Sequence, residues 1–509
     1  MTIYKVLLVA CRFEREIKTL IKIKDAIENE NRNIEVEILD VVKNSFITDS
    51  LDFFPDVILT YPFNAISTSY KFYLLKYLLN CHIITYQVEG ILIYENEQNI
   101  NFMLGIEKYG NTLVDYHIFW GEKTAKLIGD RLLKQGKLSS SDRILHVGWP
   151  YFEDYFFSSD NDKDKVPEYI FSKISKRNPQ RNILFVSGFM MADYSDTDIF
   201  RAGDLVDTHN KNESEIKAEF LIRKEMITQL RKFRSQWIDT LIECAKKFPH
   251  FLFINKVHPL EFVVNRNKKI SPYEKLKKYS NILLIEEYVP FYAIISYCSL
   301  LFHYGSTTML ESYISKVPTV SLQSKYLPND FDYTVDSTFV IDISDIIQLL
   351  EQHSNAPISF KQDLQVEKFL KEQLDIDLTK NIPYNPSQKI AKIIISSFDK
   401  PPQKIMPFDP FLTNALQKLS KNLIQIFMLK AIEFINNKSR DEALEYLVKV
   451  EIISDYSNIK VKNLYYLRGV CYLSNGNSMK ALYSFKNELR YFPDNEQSKL
   501  MLRHIELTL

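Results

Sequence analysis

Three short stretches carry residue types that can do chemistry, and each stands just after an apolar run. The stretch "LLFHYGSTTMLE" places Gly305, Ser306, Thr307 and Thr308 between a β-like run and an amphipathic helix pattern that stops before Pro318. A strand-to-helix turn of this kind leaves the first backbone N–H groups of the helix without intrahelical partners, and the helix dipole adds positive character there. With three hydroxyl side chains beside them, the expected chemistry is anion binding. The plainer reading makes Ser306 an N-cap and nothing more. A second stretch, "INKVHP", sets Lys256, His258 and Pro259 after "FLF", and a third, "YQVEG", sets Glu89 and Gly90 after "HIIT". Taken singly, the His-Pro reads as a loop with a capped imidazole, Glu89 as a turn acid and Glu311 as a solvated helix position. Glu286 and Glu287 in "IEEYVP" read as edge-loop charges, and His303 as a packed residue.

Bringing these stretches together requires strands that end side by side. The first third alternates β-rich runs with helical ones: 4–10, 34–41, 55–62, 82–87, 116–121 and 143–150 read as strands. Apolar strands alternating with helices predict a parallel sheet covered on both faces. The polar run "SSDNDKDKVPEY" at 158–169 reads as a linker. A second series starts at "NILFVSG" (182–188) and continues through 251–259, 281–290, "LLFHYGS" and "TVSLQ". Between its first two strands lies a polar segment, about 190–235, whose length suggests a lid or an insertion. The helical run "QKIAKIIISSF" and the Pro-rich "DKPPQKIMPFDP" (399–410) close this series. Two such sheets in tandem predict a cleft at their strand C-termini, where open α/β sheets bind ligands. Residues 411–509 read as all-helical.

Bulk composition narrows the function classes. The chain has 509 residues, room for about three domains. Lys+Arg and Asp+Glu both total 64, so net charge calls for neither nucleic acid nor an anionic membrane, although a local basic patch at a membrane surface stays compatible with it. Five scattered cysteines in apolar runs read as buried thiols of a reducing compartment rather than disulfides or metal ligands. The apolar part of "MTIYKVLLVACRFEREIK" is too short for a signal peptide, and no run reaches the ~18 apolar residues of a membrane span. The expected location is the cytoplasm.

Two resemblances add to this reading. The stretch "YYLRGVCYLSNGNSMKALYSFKNELRYFP" resembles a tetratricopeptide repeat at Tyr465, Gly469, Tyr472, Gly476, Ala481, Phe485 and Pro493, with Arg468 in place of the usual leucine. A weaker copy has Ala431, Phe434, Ala443 and Leu447; a plain helical hairpin bundle is the alternative. Over residues 1–400, the acid-Gly pair after a first-domain strand, the His-Pro after a second-domain strand and the Ser/Thr helix opening resemble bacterial sialyltransferases and related Kdo and capsule-polymer transferases. "YQVEGI", "FWGEKTAKLI", "HVGWPYFEDY", "KVHPLE" and "HYGSTTMLE" are also similar to bacterial surface-carbohydrate biosynthesis proteins.

The resemblance implies an α/β fold of two Rossmann-like domains (GT-B) facing a cleft, at 1–165 on the acceptor side and 175–400 on the nucleotide-sugar side, followed by an all-α tetratricopeptide-like domain at 410–509. It implies a CMP-activated ulosonic acid as donor and a surface glycan or protein as acceptor, the latter held by the helical tail. In those roles Glu89 takes the acceptor proton and His258 meets the leaving phosphate. Lys256, Pro259, Gly305, Ser306 and Thr307 form the phosphate site, Glu311 binds a ribose diol, and no metal or organic cofactor takes part. Val88 stands where the sialyltransferase pattern often has a second acid, leaving Glu89 as the lone carboxylate there. Two rivals remain: a CDP-polyol phosphotransferase of the teichoic-acid type, and a non-catalytic scaffold of the same fold.

Overall fold

The computed structural model describes residues 3–508, apart from 88–99, 105–112, 157–165, 197–212, 262–270, 325–339, 403–409 and shorter gaps that include 63–65, 259, 260 and 305. Six parallel strands, β1 (Tyr4–Ala10), β2 (Ile34–Asp40), β3 (Val57–Thr60), β4 (His82–Tyr86), β5 (Tyr116–Phe119) and β6 (Ile144–His146), form one sheet in the order β2-β1-β3-β4-β5-β6. Six more, β7 (Asn182–Val186), β8 (Leu252–Lys256), β9 (Ile282–Ile285), β10 (Leu300–His303), β11 (Thr319–Gln323) and β12 (Val340–Asp342), form a second, β12-β11-β10-β7-β8-β9. All pairings are parallel. The two Rossmann-like sheets and the helical C-terminal region expected from the sequence are therefore present. No described helix is long and apolar enough to cross a membrane.

The second sheet is apolar on both faces because helices cover both. One face carries Phe185, Phe253 and Phe302, packed under Phe233, Trp237 and Leu241 of the helix Glu213–Lys247. The other carries Leu184, Val186, Ile254 and Leu301, packed on Ile170 and Ile174 of the helix Glu168–Ser175 and on Phe291 and Ile294. The polar segment at 190–235 is thus corrected. Its described second half is the start of the 35-residue helix Glu213–Lys247, whose N-terminal turns bury little, so the sequence there is mostly polar.

The chain divides into units of 1–150 with 386–509, and 151–385. This differs from division at the polar and Pro-rich runs. The helix Pro386–Ser397 packs along the helix Phe13–Glu30 of the first unit, and Phe398 stacks on Tyr4 with ring centroids 4.1 Å apart. The tail helices Pro410–Asn436, Arg440–Ser457, Leu464–Ser474, Ser478–Tyr491 and Glu496–Thr508 pack each on the next. Leu423, Phe427, Ala431, Ala443 and Leu447 enter the same core as Phe46, Phe72 and Leu75, so the tail supplies part of the first unit's interior. Within the tail, Gly469 allows close packing on Phe485, where a Cβ would lie 2.6 Å from the ring. The buried Glu488 accepts the backbone N–H groups of Asn463 (2.7 Å) and Tyr465 (3.1 Å), capping the helix that starts at Leu464.

Candidate functional site

In the second sheet the chain builds β7, β8 and β9 in one direction, then returns to lay β10 on the other side of β7. The crevice at such a reversal, outside the strand C-termini, is where open parallel sheets hold ligands. Val186 of β7 pairs with His303 of β10 and Lys256 of β8. Three chain exits therefore lie side by side, marked by Ser187 and Gly188, by Val257 and His258, and by Tyr304 and Ser306. Of the residues singled out in the sequence, Lys256, His258, Ser306, Thr307 and Glu311 come to these exits or to the helix Thr308–Ile314 that follows one of them. Glu89, Gly90, Pro259 and Gly305 lie outside the described residues.

Close approach of two exits explains one glycine. A Cβ at Gly188 would stand 2.9 Å from the Tyr304 carbonyl oxygen, a backbone atom that cannot swing away. Below the neighbouring exit lies a carboxylate that sequence reasoning did not identify. Glu261, 1% exposed, accepts the Ser187 hydroxyl (2.7 Å) and the Phe189 N–H (3.1 Å) on one oxygen and the Tyr273 hydroxyl (2.7 Å) on the other. The Ser187 oxygen in turn accepts the His258 backbone N–H at 3.3 Å. Burial raises the Glu261 pKa, while these donors and the Arg234 charge oppose the rise. Arg234 is itself held by Asp193 at 2.5 and 3.0 Å.

At the β10 exit, the Ser306 N–H points to His303 Nδ1 at 3.4 Å, and Ser306 Oγ accepts from the Thr308 N–H (3.3 Å) and hydroxyl (3.0 Å). The N-cap residue is Thr307, whose side chain makes no cap, while Ser306 takes the N–H of the first helical residue, so part of the N–H array anticipated as open is satisfied internally. His303 is buried, and burial pulls its pKa down to about 4, so the ring is neutral and the Ser306 contact assigns its proton to Nε2. Thr307 is exposed and His258 half-buried.

Two ionisable side chains of opposite kind are buried in this unit. Lys256 is 7% and Glu311 5% exposed. Glu311 Oε2 accepts the Tyr151 hydroxyl at 2.9 Å and also the Tyr155 hydroxyl, so two tyrosines share one oxygen of the carboxylate that the resemblance offered to a ribose. Burial raises the Glu311 pKa to about 7, against the two phenols and Lys256, which lower it. Burial likewise lowers Lys256 to about 8, with Glu311 opposing. Glu286 and Glu287 are engaged locally, by Ser271 with Lys277 and by Tyr169 respectively.

What the sequence concealed has a common cause. Tyr155 and Glu311 are 156 positions apart, and Ser187 and Glu261 are 74 apart, so no spacing rule links them. The one local signal was "HPLE", in which an acid follows His-Pro on an otherwise apolar run.

No protein-family model and no curated protein matches the chain. Among solved structures it is similar to UDP-GlcNAc 2-epimerase from Neisseria meningitidis bound to UDP-GlcNAc, with TM-score 0.42 and 17% identity over 77% of this chain and 99% of that one. It is also similar to UDP-GlcNAc 2-epimerase from Methanocaldococcus jannaschii in complex with UDP-GlcNAc and UDP, with TM-score 0.44 and 14% identity over 77% and 99%. A variant of the wall teichoic acid polymerase TagF gives TM-score 0.44 and 11% identity over 78% and 90%.

Proposed function

We propose that the chain is a glycosyltransferase of the GT-B type whose second unit binds the phosphate of a nucleotide-activated sugar, a CMP-linked ulosonic acid, for transfer to a surface glycan or protein. One observation carries this reading: Lys256 and His258 at the end of β8 and Ser306 after the end of β10 flank the end of β7, where the order of the sheet reverses. Lys256 supplies positive potential and the Ser306–Thr307 turn supplies hydroxyl donors fixed in advance of the reaction. His258 faces the departing phosphate as a donor or acid, and its backbone is pinned through Ser187 to Glu261. Glu89 takes the proton of the acceptor hydroxyl.

The test is thermal-shift screening against CMP, CDP, UDP and GDP and their sugar conjugates, followed by mass analysis of the acceptor. Cytidine preference and an acceptor that gains a sugar without phosphorus are expected. Gain of a phosphoryl-polyol would replace glycosyl transfer by the phosphotransferase reading. Absence of any nucleotide response would leave the scaffold reading.

A further inference from the structure

We infer that the stacked indoles of Trp120 and Trp149, past the C-terminal ends of β5 and β6, form a sugar-stacking platform, and that the acceptor is a glycan which lays the C–H face of a pyranose ring on Trp149. Calling the bound sugar the acceptor rests on the glycosyltransferase reading, in which the first sheet is the acceptor side.

The two rings lie parallel, with centroids 4.2 Å apart and planes 7° from each other. Trp120 follows β5 directly and is 2% exposed; its Nε1–H donates to the Gln87 carbonyl at 2.6 Å. Gln87 follows β4, and its side-chain amide donates to the Met103 carbonyl at 3.1 Å, so the residue that holds Trp120 is itself held. Pairing between the two chains continues past the strand ends: the Val147 N–H donates to the Phe119 carbonyl at 3.1 Å, and the Gly148 N–H to the Trp120 carbonyl at 2.9 Å. Gly148 then turns the chain at φ +92°, which residues with a side chain rarely adopt, and Pro150 restricts the other side of Trp149. Trp149 is thereby fixed over a buried ring while staying half-buried itself. The third tryptophan, Trp237, is 1% exposed in the second unit, so Trp149 is the one accessible indole of the chain. A rigid flat ring of this size offers a broad apolar contact with little side-chain freedom left to lose. Exposed Glu122 and Lys123 follow Trp120 closely in the chain. Charges so near disfavour a lipid chain on this surface and suit a pyranose, whose C–H face is apolar and whose rim is hydroxylated. Gln87 also stands just before Val88 and Glu89, so the stack is tied to the stretch that carries the proposed acceptor-side base.

The experiment titrates the full chain with lactose, cellobiose and N,N′-diacetylchitobiose, read by tryptophan fluorescence, and with CDP and CMP in parallel, read by thermal shift. At least one disaccharide should change the fluorescence saturably, with a Kd on the order of 1 mM. Trp149→Leu keeps an apolar side chain but loses the flat ring, and should weaken that sugar at least about fivefold; Trp149→Phe keeps a flat ring and should weaken it less than about threefold. Both variants should retain the parent's melting temperature within a few degrees and its response to nucleotide. Equal weakening in the two variants, or none in either, overturns the inference. So does the absence of saturable binding of all three sugars to the parent, and with nucleotide binding intact that result leaves the glycosyltransferase reading standing with a protein as acceptor. Sugar binding that depends on Trp149, in a chain that binds neither nucleotide, supports the platform and removes the glycosyltransferase reading.

Discussion

Glu261 reaches beneath the end of β7 and holds the Ser187 hydroxyl at 2.7 Å. That hydroxyl carries the backbone of His258, so the position of His258 depends on a carboxylate with almost no solvent contact. Ser187→Ala leaves one Glu261 oxygen a donor short and the His258 N–H without its acceptor. The expected cost is about 1–3 kcal/mol of unfolding free energy, read from the denaturant midpoint. If His258 serves the leaving group, the same variant should lower turnover more than it weakens nucleotide binding.

Gly188→Ala should be among the most disruptive single-methyl changes in the second unit. The added carbon meets the Tyr304 carbonyl at 2.9 Å, so the two chain exits must separate. A loss of about 1–3 kcal/mol is expected, with weaker nucleotide binding in the fraction that folds. A melting temperature and nucleotide affinity equal to those of the parent would show that the exits can part freely.

Stability should depend on pH through the buried pair. Glu311 has its folded pKa raised from 4.5 to about 7, so its contribution is full below about 4.5 and is lost as pH climbs through about 7. Lys256 is depressed from 10.5 to about 8, so its contribution is present above about 10.5 and is lost as pH falls through about 8. Near pH 7.5 neither contributes fully. The melting temperature should fall between pH 5 and 7.5, and Glu311→Gln should flatten that slope, removing a change of about 2 kcal/mol. A slope identical in parent and variant would contradict the assignment.

The tail should prove indispensable to the first unit. Phe427 is fully buried in the core shared with Phe46 and Phe72, and Phe427→Ala should cost about 3–5 kcal/mol. Asp52, paired with Lys430 at 2.7 Å and Lys449 at 3.3 Å, is partly exposed, and Asp52→Ala should cost under about 1 kcal/mol. A chain ending at Phe398 should aggregate, as size-exclusion chromatography would reveal. Truncation therefore cannot test whether the tail holds an acceptor. Substitutions at Met479 and Tyr483, 66% and 68% exposed, can: they should reduce use of a protein acceptor while leaving donor hydrolysis intact.

Strands were legible where burial on both faces wrote itself as an unbroken apolar run, as in "VIL" of β3 and "ILFV" of β7. The edge strand Val340–Asp342, three residues long, left no such run. Lys256, His258 and Ser306 were legible because each lies at or just past the C-terminal end of its strand. Tyr151 and Tyr155 were not, since a phenol announces its partner only through tertiary contact. The Pro-rich run at 399–410 suggested a boundary, but the apolar face of the tail helices had to be buried against something, and the first sheet's helices supply that surface.

The first unit is assembled from two stretches of chain with a whole second unit encoded between them. During synthesis, residues 151–385 emerge as one continuous segment and can fold as soon as they clear the ribosome. The strands up to His146 must wait for Leu423 and Phe427, which at 5–20 residues per second arrive on the order of tens of seconds later. For that interval Phe46, Phe72 and Leu75 lack the helices that cover them, so the nascent first sheet is a natural client for chaperones that hold apolar surface, and codon or growth conditions that slow translation should penalise yield there first.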